Sequence, residues 1–184
     1  METRNGETNP PSNRAVFPVK TGPTFFAWAR AVVLLPANAL LLIPAAVVWA
    51  SGETLAWAGG ARLCAGLLLF AAGFALAVWT MALFHRIGKG TAAPWNPPKK
   101  LVVAGPYRHV RNPMLASVFT MLAAEVVVTG SRAVAVFWVV FVCANMLYFP
   151  LVEERELSRR FGAEYARYKA HVPRLVPRLR PWRG

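Results

Sequence analysis

Residues 63–84 read LCAGLLLFAAGFALAVWTMALF, an unbroken apolar run with no charged side chain. At about 1.5 Å per residue such a helix spans a hydrocarbon core of roughly 30 Å. Three more apolar stretches flank it. Residues 31–50, AVVLLPANALLLIPAAVVWA, are also free of charge. Residues 114–129, MLASVFTMLAAEVVVT, are shorter and carry Glu125, and residues 133–152, AVAVFWVVFVCANMLYFPLV, complete the set. Gly130, Ser131 and Arg132 between the last two predict a helical hairpin. Pro36 and Pro44 are expected to kink the first stretch, which membrane helices tolerate. A cleaved signal peptide is the competing reading of 31–50, with Val48 and Ala50 suited to a peptidase. The apolar stretch and the leader before it are both too long for that.

The composition agrees. Of 184 residues, 56% are hydrophobic and 16% charged, against about 25% charged in soluble domains. Lys and Arg number 21 against 8 acidic residues, all glutamates, for a net charge of +13. Such a balance suggests nucleic acid or an anionic membrane surface. The long apolar runs decide for the membrane. Nineteen of the 21 basic residues fall in segments 1–30, 86–111 and 155–183, and only Arg62 and Arg132 lie elsewhere. Four crossings put those three segments on one side, so both termini are expected to be cytoplasmic. The expected fold is therefore all-α and polytopic, with about four transmembrane helices, five being the alternative count if 25–62 crosses twice. Residues 1–24 read as a disordered cytoplasmic tail, and 25–184 as one membrane domain.

Beyond the last run, Leu157, Phe161, Tyr165, Tyr168 and Val172 share one helical face, with Arg159, Arg160, Arg167 and Lys169 elsewhere on the helix. This predicts an amphipathic helix over 153–172, lying in the headgroup plane, packed on the cytoplasmic loop, or both. Cys64 and Cys143 sit in apolar runs and read as small buried hydrophobes. No Cys/His cluster offers a metal site. Trp28, Trp57 and Trp138 suit interface belts or packing, and Asn145 is expected to hydrogen-bond between helices. Glu125, near the Gly130 turn, reads as interfacial or structural, with substrate binding the alternative.

Two polar groups of residues stand beside the membrane on the same side. The loop PPKKLVVAGPYRHVRNPM, residues 97–114, offers Tyr107, Arg108, His109 and Arg111, with Asn112 placed to cap the helix that Pro113 opens. Glu153, Glu154 and Glu156 follow the fourth run. Adjacent carboxylates repel, so a cationic or hydrogen-bond-donating partner is expected. Either Arg108 or Arg111 clips the loop to the helix, or the partner is a ligand carrying hydroxyls, an ammonium or a sulfonium.

GPYRHVRNPM, followed about 40 residues later by EERELSRRFGAEYARYKAHVPRLVP, resembles the isoprenylcysteine carboxyl methyltransferase and phospholipid methyltransferase family. GKGTAAPWNPPKKLV before it is similar to the lead-in of bacterial members. The resemblance covers roughly residues 85–177. It implies an integral-membrane enzyme of the bacterial inner membrane that uses S-adenosylmethionine, bound around the loop 86–113. Carried over by position, the cofactor residues are Lys99, Lys100, Leu101, Val102, Tyr107, Asn112, Pro113, Met114, Leu115, Glu153 and Glu154. Glu154 and Arg111 are the expected catalytic residues, and Glu154 or His109 would accept a proton where the acceptor must lose one. Arg111 steers the cofactor carboxylate or forms a structural ion pair. The acceptor is expected to be a small lipophilic molecule or lipid, isoprenylcysteine-like, phospholipid amine-like or other, with no nucleic-acid or metal partner. Asn112 stands where many members have His, Leu115 where a tyrosine is common and Ser117 where a glycine is frequent. The stretch Tyr148–Pro150 lacks the substrate-carboxylate arginine of the prenylcysteine enzymes, which points to a neutral or amine-like acceptor. Two readings from other classes compete: a non-catalytic module that binds anionic lipid, and an NADPH-dependent reductase related to sterol reductases.

Overall fold

The computed structural model describes residues 38–55, 58–90 and 98–183. The expected tail 1–24, the first part of the 31–50 run, Trp28, Trp57 and the segment 91–97 lie outside the described residues. Among the described residues all regular structure is helical. Helix α1 (Asn38–Ser51) begins with a π turn and stops at Gly52, whose φ of 65° suits glycine. Helix α2 is Gly60–Gly88 and α3 is Pro113–Thr129. Helix α4 (Arg132–Tyr148) passes through a π turn, Phe149–Glu153, into α5 (Glu154–His171). The last three segments thus form one helix of 40 residues, Arg132–His171.

Helices α2 and Arg132–His171 are long and apolar enough to cross a membrane. Their exposure decides what surrounds them. Leu67, Leu68, Phe74, Val136, Val140 and Leu147 are each more than half exposed, whereas the core helix of a soluble protein would bury such residues. An outward apolar face of this extent fits a lipid surround. Helices α1 and α3 are shorter; the 17 residues of α3 cover about 25 Å.

Helix α3 is the central element. Its Ser117, Met121, Leu122 and Ala124 are buried, and α2 meets them with Gly66, Gly73, Ala77 and Thr80. A Cβ on Gly73 would stand 2.8 Å from Met121 Cγ and 3.0 Å from the Ser117 carbonyl; one on Gly66 would overlap Val128. Hydrocarbon does not drive apolar helices together, so close backbone approach over small residues does that work. Gly66 faces the end of α3 and Gly73 its middle, so the two helices run antiparallel. Trp138 of α4 donates its indole N–H to the Phe119 carbonyl at 3.0 Å, adding a cross-helix bond. Asn145 does not: its amide donates to Phe141 O on its own helix at 2.8 Å. An amide four residues beyond a carbonyl reaches it without help from a neighbour.

At one end, Ser131 caps α4 by accepting from Val134 N, and Glu53 accepts from the Ser131 hydroxyl at 2.6 Å and from Ala133 N. Opposite lie the end of α2, the start of α3 and the α4–α5 junction, which is where the polar motifs gather.

Candidate active site

Three local structures build this end. Asn112 caps α3, its side-chain oxygen accepting from Leu115 N at 3.0 Å, with Pro113 at the first turn. Gly105, φ 53°, opens the 3₁₀ turn Gly105–Arg108 against Trp79 and Leu83 of α2, where a Cβ would stand 3.1 Å from each. At the α4–α5 junction Pro150 has no N–H to give the Met146 carbonyl four residues back. The chain widens into a π turn there, closed by the Glu154 N–H bonding to Phe149 O, and Arg174 Nη1 donates to Met146 O at 3.4 Å.

Glu153 and Glu154 leave this junction in different circumstances. Glu154 is 2% exposed and surrounded by cations. Arg111 Nη1 lies 2.7 Å from its Oε1, Lys169 Nζ 2.6 Å from Oε2, and Arg174 Nε 3.5 Å from Oε1. Glu153 is half-buried and has no ion pair or hydrogen bond among the described residues. Burial, reinforced by Glu156 and Glu154, pushes its carboxyl up to about 7.

Three tyrosines complete the site. Tyr168 donates to the Tyr107 carbonyl at 2.7 Å, holding the loop to α5. Tyr107 and Tyr165 are 5% and 1% exposed with buried hydroxyls; that of Tyr107 has no partner among the described residues, and that of Tyr165 lies beside the Arg111 guanidinium. Burial raises both phenols, Tyr165 to about 12, and the carboxylates add to it: Glu153 for Tyr107, Glu154 for Tyr165.

The expected amphipathic face of α5 packs on protein. Tyr165, Tyr168 and Val172 are buried against Leu101, Val103, Leu157, Phe161 and Trp182. They cannot lie in the headgroup plane as well. The C-terminal strap following α5 returns along the loop: Arg111 N bonds to Pro173 O, Arg178 N to His109 O and Trp182 N to Arg108 O, at 2.9–3.1 Å. His109 Nδ1 meets Arg178 O at 2.7 Å, which fixes this ring to the strap.

The structure thus brings Tyr107, Arg111, Glu153 and Glu154 together and starts α3 beside them at Asn112 and Pro113. Lys99 and Lys100 are exposed; Leu101 and Val102 pack under the loop, Val102 against Gly88. Pro113 is buried, and Met114 and Leu115 are half-buried in the first turn of α3. Sequence reading missed Lys169, Arg174 and the two tyrosines of α5 as members of this cluster. Pro150 was the available signal, since its orphaned carbonyl calls for a donor. Among the described residues no group of His, Cys, Asp or Glu could hold a metal ion.

No curated protein and no solved structure matches the chain. A family model described as phospholipid methyltransferase matches residues 61–164. That stretch is more than half of the chain and runs from the start of α2 into α5. It contains the GPYRHVRNP loop and both junction glutamates. The chain belongs to the phospholipid methyltransferase family.

Proposed function

We propose that this protein transfers a methyl group from S-adenosylmethionine to a small lipophilic acceptor at the cytoplasmic face of a membrane, both of its termini on that side. The observation that carries the reading is the unequal pair of glutamates. A clip between loop and helix needs one carboxylate, and Glu154 supplies it. Glu153 stays in the same half-buried site with no protein partner among the described residues, an arrangement that costs stability unless a ligand uses it.

The donor set suits this cofactor. Glu153 would hold an ammonium or ribose hydroxyl, the unpartnered Tyr107 hydroxyl would bond its polar atoms, and the capped start of α3 would favour an anionic group. When bound, S-adenosylmethionine supplies an electrophilic methyl on a sulfonium. The chain's own part is positioning and exclusion of water. Tyr168 and the strap keep the loop closed over α5, and the buried tyrosines keep the site dry, which disfavours charge-separated reactants more than a transition state of dispersed charge. Glu154, committed to three cations, is not placed to take a proton from an acceptor. The family's lipid acceptors agree with lipid-facing helices on either side of the site.

The test is calorimetric binding of S-adenosylmethionine, S-adenosylhomocysteine and NADPH to the detergent-purified protein and its Glu153→Gln variant. Binding of both adenosyl ligands, weakened at least tenfold by the substitution, is expected. NADPH binding alone would indicate a reductase. Adenosyl binding untouched by the substitution would remove Glu153 from the site, and no binding by folded protein would leave the lipid-binding module.

A further inference from the structure

On the C-terminal strap, residues 173–183, Leu179 is 97% exposed and Val176 79%. Prolines at 173, 177 and 181 keep the strap out of a helix, so it forms no fold of its own that could cover the two. Its charge is of one sign, four arginines and no acidic residue. Arg174 is held by Glu154 and the Met146 carbonyl, and Arg178 donates to His171 O at 2.6 Å. Arg180 and Arg183 are exposed and make no ion pair among the described residues.

The two ends of the strap fix its height. At the start, Arg174 lies 5.9 Å over the Phe149 ring and bonds to Met146 O, both in the closing turns of the apolar run 133–152. At the end, Trp182 N bonds to Arg108 O at 3.0 Å, just ahead of the apolar run that opens at Met114. Both points are where crossings end, the level of lipid headgroups. Val176 follows Arg174 by two residues, within about 7 Å along the chain. Single apolar side chains facing water are ordinary; these two stand on a basic segment at the membrane boundary. That chemistry is complementary to an anionic leaflet, which takes apolar side chains at its acyl boundary and guanidiniums at its phosphates.

The inner edge of the same strap holds the loop. Arg111 N bonds to Pro173 O and Arg178 N to His109 O, and the Trp182 ring stacks on His171 at 5.4 Å. We propose that the strap is a membrane-surface clamp. Val176, Leu179, Arg180 and Arg183 seat on anionic lipid of the cytoplasmic leaflet, and that seating tightens the strap on the loop at 108–111. Lipid that binds the closed strap better than the open one shifts the equilibrium toward closure. The strap lies beyond the matched residues 61–164. The inference rests on the methyltransferase reading only for the side of the membrane and for what the loop encloses.

The experiment is hydrogen exchange on the full chain in nanodiscs of phosphatidylcholine, alone or with about one-third phosphatidylglycerol. The Arg178 and Trp182 amides report the clamp, because they exchange only when their bonds to His109 O and Arg108 O open. In wild type their exchange is expected to be about tenfold slower in the anionic discs, a ratio that shrinks at high salt. Val176→Ser with Leu179→Ser, and Arg180→Gln with Arg183→Gln, should each cut the ratio at least threefold. All four side chains are exposed, so both double variants should fold, and unchanged exchange in α2 and α3 checks this. Equal wild-type exchange in the two discs overturns the proposal and leaves the exposed pair to a protein partner. A ratio that survives intact in either folded double variant overturns it as well. The measurement contains no S-adenosylmethionine, so its failure is distinct from failure of the methyltransferase reading.

Discussion

Replacing Glu154 by glutamine should unfold the site, whereas the same change at Glu153 should spare the fold and remove function. In Glu154→Gln the Arg111 guanidinium, with a side chain 10% exposed, loses its counter-charge and stays in a dry site. Lys169 and Arg174 are more open and turn to water. Breaking a buried pair on one side costs about 3–5 kcal/mol. The exposed partners discount this, leaving about 3 kcal/mol, or a fall of roughly 6–12 °C in melting temperature for a chain of this size. Glu153→Gln breaks no ion pair and removes a charge that Glu154 and Glu156 repel, so its melting temperature should match or exceed wild type. The assay is thermal unfolding in detergent by intrinsic tryptophan fluorescence, beside methyl transfer from radiolabelled S-adenosylmethionine to a membrane lipid extract. An unchanged melting temperature in Glu154→Gln, with a fall in Glu153→Gln, would refute this division of roles.

Three other outcomes follow from the same geometry. The Glu153 carboxyl sits near 7 in the folded protein against an ordinary 4.5, so between those values the unfolded chain releases its proton first. Wild-type stability should therefore fall as pH rises from about 4.5 to 7, and Glu153→Gln should flatten that part of a melting-temperature profile. Gly73→Val should push α2 from α3 at a cost of about 1–3 kcal/mol, with Ala72→Val on the exposed face near neutral; thermal unfolding of the two variants checks this. Tyr168→Phe leaves the buried Tyr107 carbonyl unmet and should cost about 1–3 kcal/mol, read as faster proteolysis of the loop at residues 98–111.

The apolar runs were legible because hydrocarbon imposes a simple rule, and α2 and the continuous helix Arg132–His171 contain the stretches 63–84 and 133–152 that charge-free composition picks out. Asn112 was legible for a local reason: an amide before a proline caps a helix whatever surrounds it. Arg111 clipping the loop to Glu154 was one of two open partners, and distance settled it. What sequence could not show is long-range. Arg174 reaches Met146 across 28 residues, and no periodicity announces such a contact. The face of α5 is a different case. Its period was visible, but a period says only that something apolar covers it, and loop and lipid satisfy that equally. Tyr168 bonding to the Tyr107 carbonyl shows that the loop won.

The position of the site follows from backbone hydrogen bonding in a bilayer. Inside hydrocarbon an unmet N–H or carbonyl costs several kcal/mol, so helices stay regular there and irregular backbone is confined to where protein or water can answer it. Every irregular element at this end obeys that constraint. The π turn of α2 closes at Gly88, the 3₁₀ turn at Arg108, α3 starts at Asn112, and α4 widens over Phe149–Glu153. Each lies at the boundary where an apolar run ends, and each leaves polar groups that need partners. Side chains from the strap and from α5 answer some of them, Arg174 at Met146 and Tyr168 at Tyr107, and the Glu153 carboxylate is left without a partner among the described residues. A chain whose described regular structure is all helical thus gathers its polar groups at the ends of its apolar helices. In the proposed function, the same placement would give a charged cofactor access from water and an apolar acceptor access from lipid.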